Sequence, residues 1–130
     1  MRPELMNALT LAYLGDAVFE VYIREYLMLD RGIMKPNDLQ HEAVRYVSAY
    51  AQAGFMKEAL KNSWLTDEEV SIYKRGRNTK GHGVKNKTTL VHNQSSGFEA
   101  IIGHLYLLEE HERIREIVDQ YKYYINSLEE

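Results

Sequence analysis

Apolar residues recur at spacings of three and four through most of the chain. Leu9, Tyr13 and Ala17 lead into Phe19, Val21 and Tyr22, and Val44, Val47, Tyr50, Ala51 and Phe55 form a second such series. Both predict helices. Pro36, with Asn37 and Asp38 beside it, marks a helix start, and Gly54 predicts a break between two shorter helices. Thr66-Asp-Glu-Glu69 has the form of a capping box and predicts a helix running to about Lys74. Ser96-Gly-Phe-Glu99 repeats that form and predicts a further start, with Ile101, Ile102, Leu105, Tyr106 and Leu108 supplying its apolar face. The chain then ends in a charged helix. The expected fold class is all-α, one domain over residues 1–130, with on the order of five to six or more helices and no sheet.

Periodicity fails in one place. Between Arg75 and Gly97 lie Gly76, Gly81, Gly83, Asn86, Asn93, Gln94 and a run of Thr and Ser, which predict an exposed loop over about 75–97. A connection this long inside one domain is usually functional or disordered.

A chain of 130 residues with 45% hydrophobic content can bury a core without staples. It has no cysteine, so any metal must be held by oxygen or imidazole. The stretch from Leu5 to Leu29 is apolar but carries Asp16, Glu20, Arg24 and Glu25, which fits a buried helix and not a membrane span. The start, Met1-Arg-Pro-Glu-Leu5, shows no signal peptide, and a cytoplasmic location without membrane contact is expected.

The net charge of −3 alone argues against nucleic acid as a partner. The distribution changes that picture. From Val70 to Phe98 there is no acidic residue but six of the sixteen basic ones, leaving ten basic against nineteen acidic residues elsewhere. Lys74, Arg75, Arg77, Asn78, Lys80, Lys85 and Lys87, interleaved with glycines, are the candidate RNA-binding residues, suited to phosphates and giving little base selectivity.

Asp16 stands in otherwise apolar surroundings, so its carboxylate must face solvent, find a partner or bind a cation. Its spacing from Glu20 and Arg24 also suits an ordinary polar stripe, while Gly15 beside it suggests close approach of another group. Glu99 reads equally as the last residue of a capping box. On two helices that meet, Asp16 and Glu99 could hold Mg²⁺ with several retained waters. The five histidines lack the paired spacing of a helical zinc site, and the ten tyrosines at helical spacing suit packing better than base stacking.

Leu11-Ala-Tyr-Leu-Gly-Asp-Ala-Val-Phe-Glu20 resembles the signature helix of the ribonuclease III family, and Phe98-Glu-Ala-Ile-Ile-Gly-His-Leu-Tyr-Leu107 resembles its second motif. Lys35-Pro-Asn-Asp-Leu39 and Lys74-Arg-Gly-Arg-Asn78 are similar to segments of the Mini-ribonuclease III branch, a catalytic domain without a separate RNA-binding domain. The resemblance implies a homodimeric endonuclease domain that cuts double-stranded RNA. Asp16 and Glu99 would be its catalytic and metal-ligating residues, with Mg²⁺ as cofactor and Mn²⁺ able to substitute. It also implies 5′-phosphate ends, maturation of the 23S ribosomal RNA precursor, and a ribosomal protein as a candidate helper. Leu9, Ala12 and Ser96 stand where larger members carry acids, which argues against a second tightly held metal. The residues alone also admit a non-catalytic RNA-binding dimer, or a helical scaffold for protein interaction.

Overall fold

The computed structural model describes residues 2–79 and 86–129, and these form six α-helices with no strand among them. They are α1 (Ala8–Glu25), α2 (Pro36–Val47), α3 (Ala49–Lys61), α4 (Asp67–Asn78), α5 (Lys87–Leu107) and α6 (His111–Ser127). A short 3₁₀ turn, Pro3–Leu5, precedes α1, and a π-turn, Tyr26–Asp30, prolongs it.

Several starts follow from local chemistry. Asn7 Oδ1 accepts from the Leu9 amide at 2.8 Å and opens α1. Pro36 opens α2 as expected, with its fixed φ at the first helical position. The Thr66 capping box is complete: Thr66 Oγ1 accepts from the Glu69 amide at 3.1 Å, and Glu69 Oε1 accepts from the Thr66 amide at 3.0 Å. The helix it opens continues past Lys74 to Asn78.

Two expected boundaries are corrected. The break between α2 and α3 falls at Ser48, whose hydroxyl accepts from the Ala51 amide, and Gly54 lies inside α3. There the hydroxyl of Tyr124 occupies the space a side chain would need, 2.5 Å from the position of a Cβ. The exposed loop expected over 75–97 is mostly helix. α4 takes residues to Asn78, and α5 begins at Lys87 with Asn86 Oδ1 accepting from the Thr89 amide at 2.8 Å. Ser96 is therefore buried in the middle of α5 and caps nothing. Tertiary packing overrides the weak helix propensity of its Asn, Ser and Gly residues.

α5 runs through the centre, with α1, α3 and α4 packed around it. Phe19 of α1, Phe55 of α3, Phe98 of α5 and Tyr121 of α6 form the aromatic centre of the core, with ring centroids 4.8–5.7 Å apart, mostly edge to face. α4 is clipped to α6 by Glu69, which is 3% exposed. Arg113 donates through Nε and Nη2 to its two carboxylate oxygens, each at 2.8 Å, and the guanidinium stacks over Trp64 at 4.3 Å.

Candidate active site

α1 and α5 touch backbone to backbone. A Cβ placed on Gly15 would lie 1.8 Å from the Glu99 carbonyl oxygen, and one on Gly103 would lie 2.0 Å from the Leu11 carbonyl oxygen. Only glycine permits this approach at both points. Asp16 follows the Gly15 that rests on Glu99, so the two carboxylate-bearing residues flank the point of closest contact. Asp16 is exposed and Glu99 half-buried.

The polar stripe is also present. Glu20 Oε2 accepts from Arg24 Nη2 at 2.9 Å, so Glu20 is neutralised within its own helix. No hydrogen bond or ion pair engages the Asp16 carboxylate among the described residues. Glu99 lies near enough to the core that its charge, after burial and Tyr124, helps push the Tyr121 hydroxyl well above its ordinary pKa.

An oxygen-preferring divalent ion fits this donor set. Mg²⁺ is commonly bound by one or two carboxylates and keeps several waters, and an exposed Asp16 beside a half-buried Glu99 leaves room for them. No group of three or more His, Asp or Glu side chains suited to a metal occurs among the described residues. Leu11 and Ala12 are buried where α1 faces the core, and they add no donor.

The candidate RNA-binding residues divide into four groups. Lys74, Asn78 and Lys87 are exposed. Arg75 is committed elsewhere: its guanidinium donates to the carbonyl oxygens of Glu4 and Met6, the first at 2.9 Å, and so ties the segment before α1 to α4. Arg77 lies over the Tyr73 ring at 5.5 Å and donates through Nε to Asn78 Oδ1 at 3.1 Å. Lys80 and Lys85 lie outside the described residues.

Two polar contacts made by buried side chains escape the sequence reading. Gln52 of α3 accepts from the hydroxyl of Ser95 of α5, and both are buried. His104, 1% exposed, places Nε2 2.7 Å from Glu68 Oε1. The available signal was a lone Gln and a lone His inside apolar helical series, which spacing alone cannot separate from surface positions.

A model of the "Ribonuclease III domain" matches residues 9–110. A Mini-ribonuclease 3 of Enterococcus faecalis is 45% identical over 115 residues, 88% of this chain and 86% of that protein. One from Streptococcus pneumoniae is 46% identical over 115 residues, 88% and 89% of the two chains. A crystal structure of a Fusobacterium nucleatum protein superposes with a TM-score of 0.75 at 30% identity, covering 88% of this chain and 90% of the other. With the all-α fold and matches spanning both motif helices, the chain belongs to the ribonuclease III family, in its Mini-ribonuclease III branch.

Proposed function

We propose that this protein is an endoribonuclease that hydrolyses double-stranded RNA with Mg²⁺ as a homodimer, leaving 5′-phosphate and 3′-hydroxyl ends. The observation that carries the reading is the Gly15–Glu99 contact, which sets Asp16 and Glu99 on either side of one helix crossing. Family membership supports it, as do relatives named Mini-ribonuclease 3.

In this reading Asp16 and Glu99 hold the ion, and their side chains set its place against the scissile phosphate. Bound there, Mg²⁺ would supply an acidified water and neutralise charge on the phosphate as it is attacked. The protein contributes position: the backbone contact fixes the stretches of α1 and α5 that carry the two residues against one another. Mn²⁺ should substitute, since it accepts the same oxygen donors.

Lys74, Asn78 and Lys87 offer the phosphate contacts, together with Lys80 and Lys85 in the same acid-free stretch. Double-stranded RNA is read mainly by shape, phosphates and 2′-hydroxyls, which suits lysines on helix ends. Arg77 adds a cation held near the same end of α4.

Dimer formation is supported by apolar surface on and beside α1. Tyr13 is 84% exposed, Val21 is also exposed, and a groove of about 300 Å³ opens between the end of α1 and α2, lined by Ile23, Leu27, Met28, Leu39 and Val44. The 23S ribosomal RNA precursor as substrate, a ribosomal protein as helper and a cytoplasmic location complete the proposal; no helix of the described residues is long and apolar enough to cross a membrane.

The test is cleavage of an end-labelled RNA duplex by the purified protein, with Mg²⁺ or EDTA, beside Asp16→Asn. Cuts that need the metal and vanish in the variant support the reading. Binding without cutting would instead make the protein an RNA-binding dimer.

A further inference from the structure

Gln52 lies on α3 among Ala53, Phe55 and Met56 and is 1% exposed. Its Oε1 accepts the Ser95 hydroxyl proton, which fixes the end of the amide that faces α5. Nε2 is left buried, with two N–H donors and no partner among the described residues. A buried donor without an acceptor is destabilising, whereas an apolar side chain of similar size would fill the place without that penalty. The amide therefore needs an acceptor that arrives with something else.

The fold indicates which one. Ser95 precedes Glu99 by one helical turn, so hydroxyl and carboxylate share a face of α5. Glu99 is the one acidic residue of α5. Phe55, almost a turn beyond Gln52, packs on Phe98 at 5.7 Å between ring centroids, so the α3–α5 contact that holds Gln52 runs alongside the turn bearing Glu99. Gln52 thus meets α5 one turn before Glu99, the carboxylate that borders the candidate metal site.

We propose that Gln52, tethered by Ser95, is a positioning residue of that site: Nε2 donates to a carboxylate oxygen of Glu99, or to a water held with it, when the divalent ion is bound. The inference rests on the functional reading above. Such a donor fixes the rotation of a ligating carboxylate and directs its remaining lone pairs at the ion. Ser95 acts one step further out, by keeping the amide from turning.

The experiment measures Mn²⁺ binding to the whole protein by calorimetry, with Asp16→Asn as the blank, alongside the Mg²⁺ dependence of duplex RNA cleavage and the melting temperature without metal. Gln52→Leu removes donor and acceptor while keeping apolar bulk. Gln52→Glu keeps an acceptor for Ser95 but has no Nε2, and Ser95→Ala removes only the tether. Gln52→Leu should melt at or above the parent temperature yet bind Mn²⁺ about 10–100-fold more weakly, with the Mg²⁺ needed for half-maximal cleavage rising in step. Gln52→Glu should not restore cleavage, and Ser95→Ala should shift the metal requirement in the same direction by less. Mn²⁺ affinity and Mg²⁺ requirement within about twofold of the parent in both Gln52→Leu and Ser95→Ala would overturn the inference, as would losses that follow the melting temperature alone. A folded parent that neither binds Mn²⁺ nor cuts RNA would overturn the functional reading and this inference with it; a parent that does both, with unaltered Gln52 variants, overturns the inference alone.

Discussion

The contact between α1 and α5 makes Gly15→Ala the most informative single substitution. The added methyl carbon would sit 1.8 Å from the Glu99 carbonyl oxygen and 2.8 Å from the Gly103 nitrogen, whereas ordinary contact begins near 3.4 Å. Both obstacles are backbone, so no side chain can swing aside. The helices must separate by about 1.6 Å at this point, the difference between 3.4 and 1.8 Å. Overpacking of this kind costs about 1–3 kcal/mol, and with backbone on both sides the upper end applies. At about 4 °C per kcal/mol for a domain of this size, the melting temperature should fall by about 8–12 °C. The separation also moves Asp16 away from Glu99, and a displacement of about 1 Å in a reacting constellation costs on the order of 100-fold in rate. Cleavage measured well below the variant's melting point, where nearly all of it is folded, should therefore fall by about that factor while RNA binding through Lys74 and Lys87 persists. A Gly15→Ala protein that melts within about 2 °C of the parent and cuts at the parental rate would refute both the packing argument and the assignment of the site to this crossing.

Asp16→Asn removes a charge from an exposed side chain without changing its shape, so it should abolish metal-dependent cleavage while leaving melting temperature and duplex affinity near parental values, as read by gel shift in EDTA. Lys74→Ala with Lys87→Ala should weaken RNA binding and flatten its salt dependence by about one unit of slope per lost contact, read from affinities across a salt series. Arg75→Ala should chiefly lower thermal stability, since its guanidinium holds the Glu4 and Met6 carbonyls; a salt slope reduced as much as in the lysine variants would show that Arg75 faces RNA instead. At Glu69, burial pushes the carboxyl pKa up, but the Arg113 hydrogen bonds and the Thr66 amide outweigh it and hold the folded value below the ordinary carboxylate range. A depressed folded pKa means that this stabilisation is complete above the unfolded pKa and is lost as pH falls through the folded value. Melting temperature should thus hold from neutrality to about pH 5 and drop below it, and Glu69→Gln should lower the plateau and flatten the acid limb.

Features set by neighbours within one helical turn were legible in the sequence: the Thr66–Glu69 box, the start at Pro36 and the pairing of Glu20 with Arg24. What escaped depends on partners far along the chain. Ser95 has poor helix propensity and read as loop because its partner, Gln52, is 43 residues away. Arg75 read as a free cation because the carbonyls it binds belong to Glu4 and Met6. Gly54 read as a break because Tyr124, which fills its place, is on the last helix. Asp16 and Glu99 read separately as a stripe residue and a cap, and only the family resemblance paired them. Gly15 and Gly103, poor helix formers inside helices, lie on the α1–α5 contact, while Ser95 pairs with Gln52 of α3 and the Ser96 carbonyl lies against Gly76 of α4. Local rules are broken where backbones must touch and where polar groups must be buried, and folded chains tolerate such breaches mainly at functional sites. The two glycines thus mark, by backbone packing alone, the crossing beside which Asp16 and Glu99 stand.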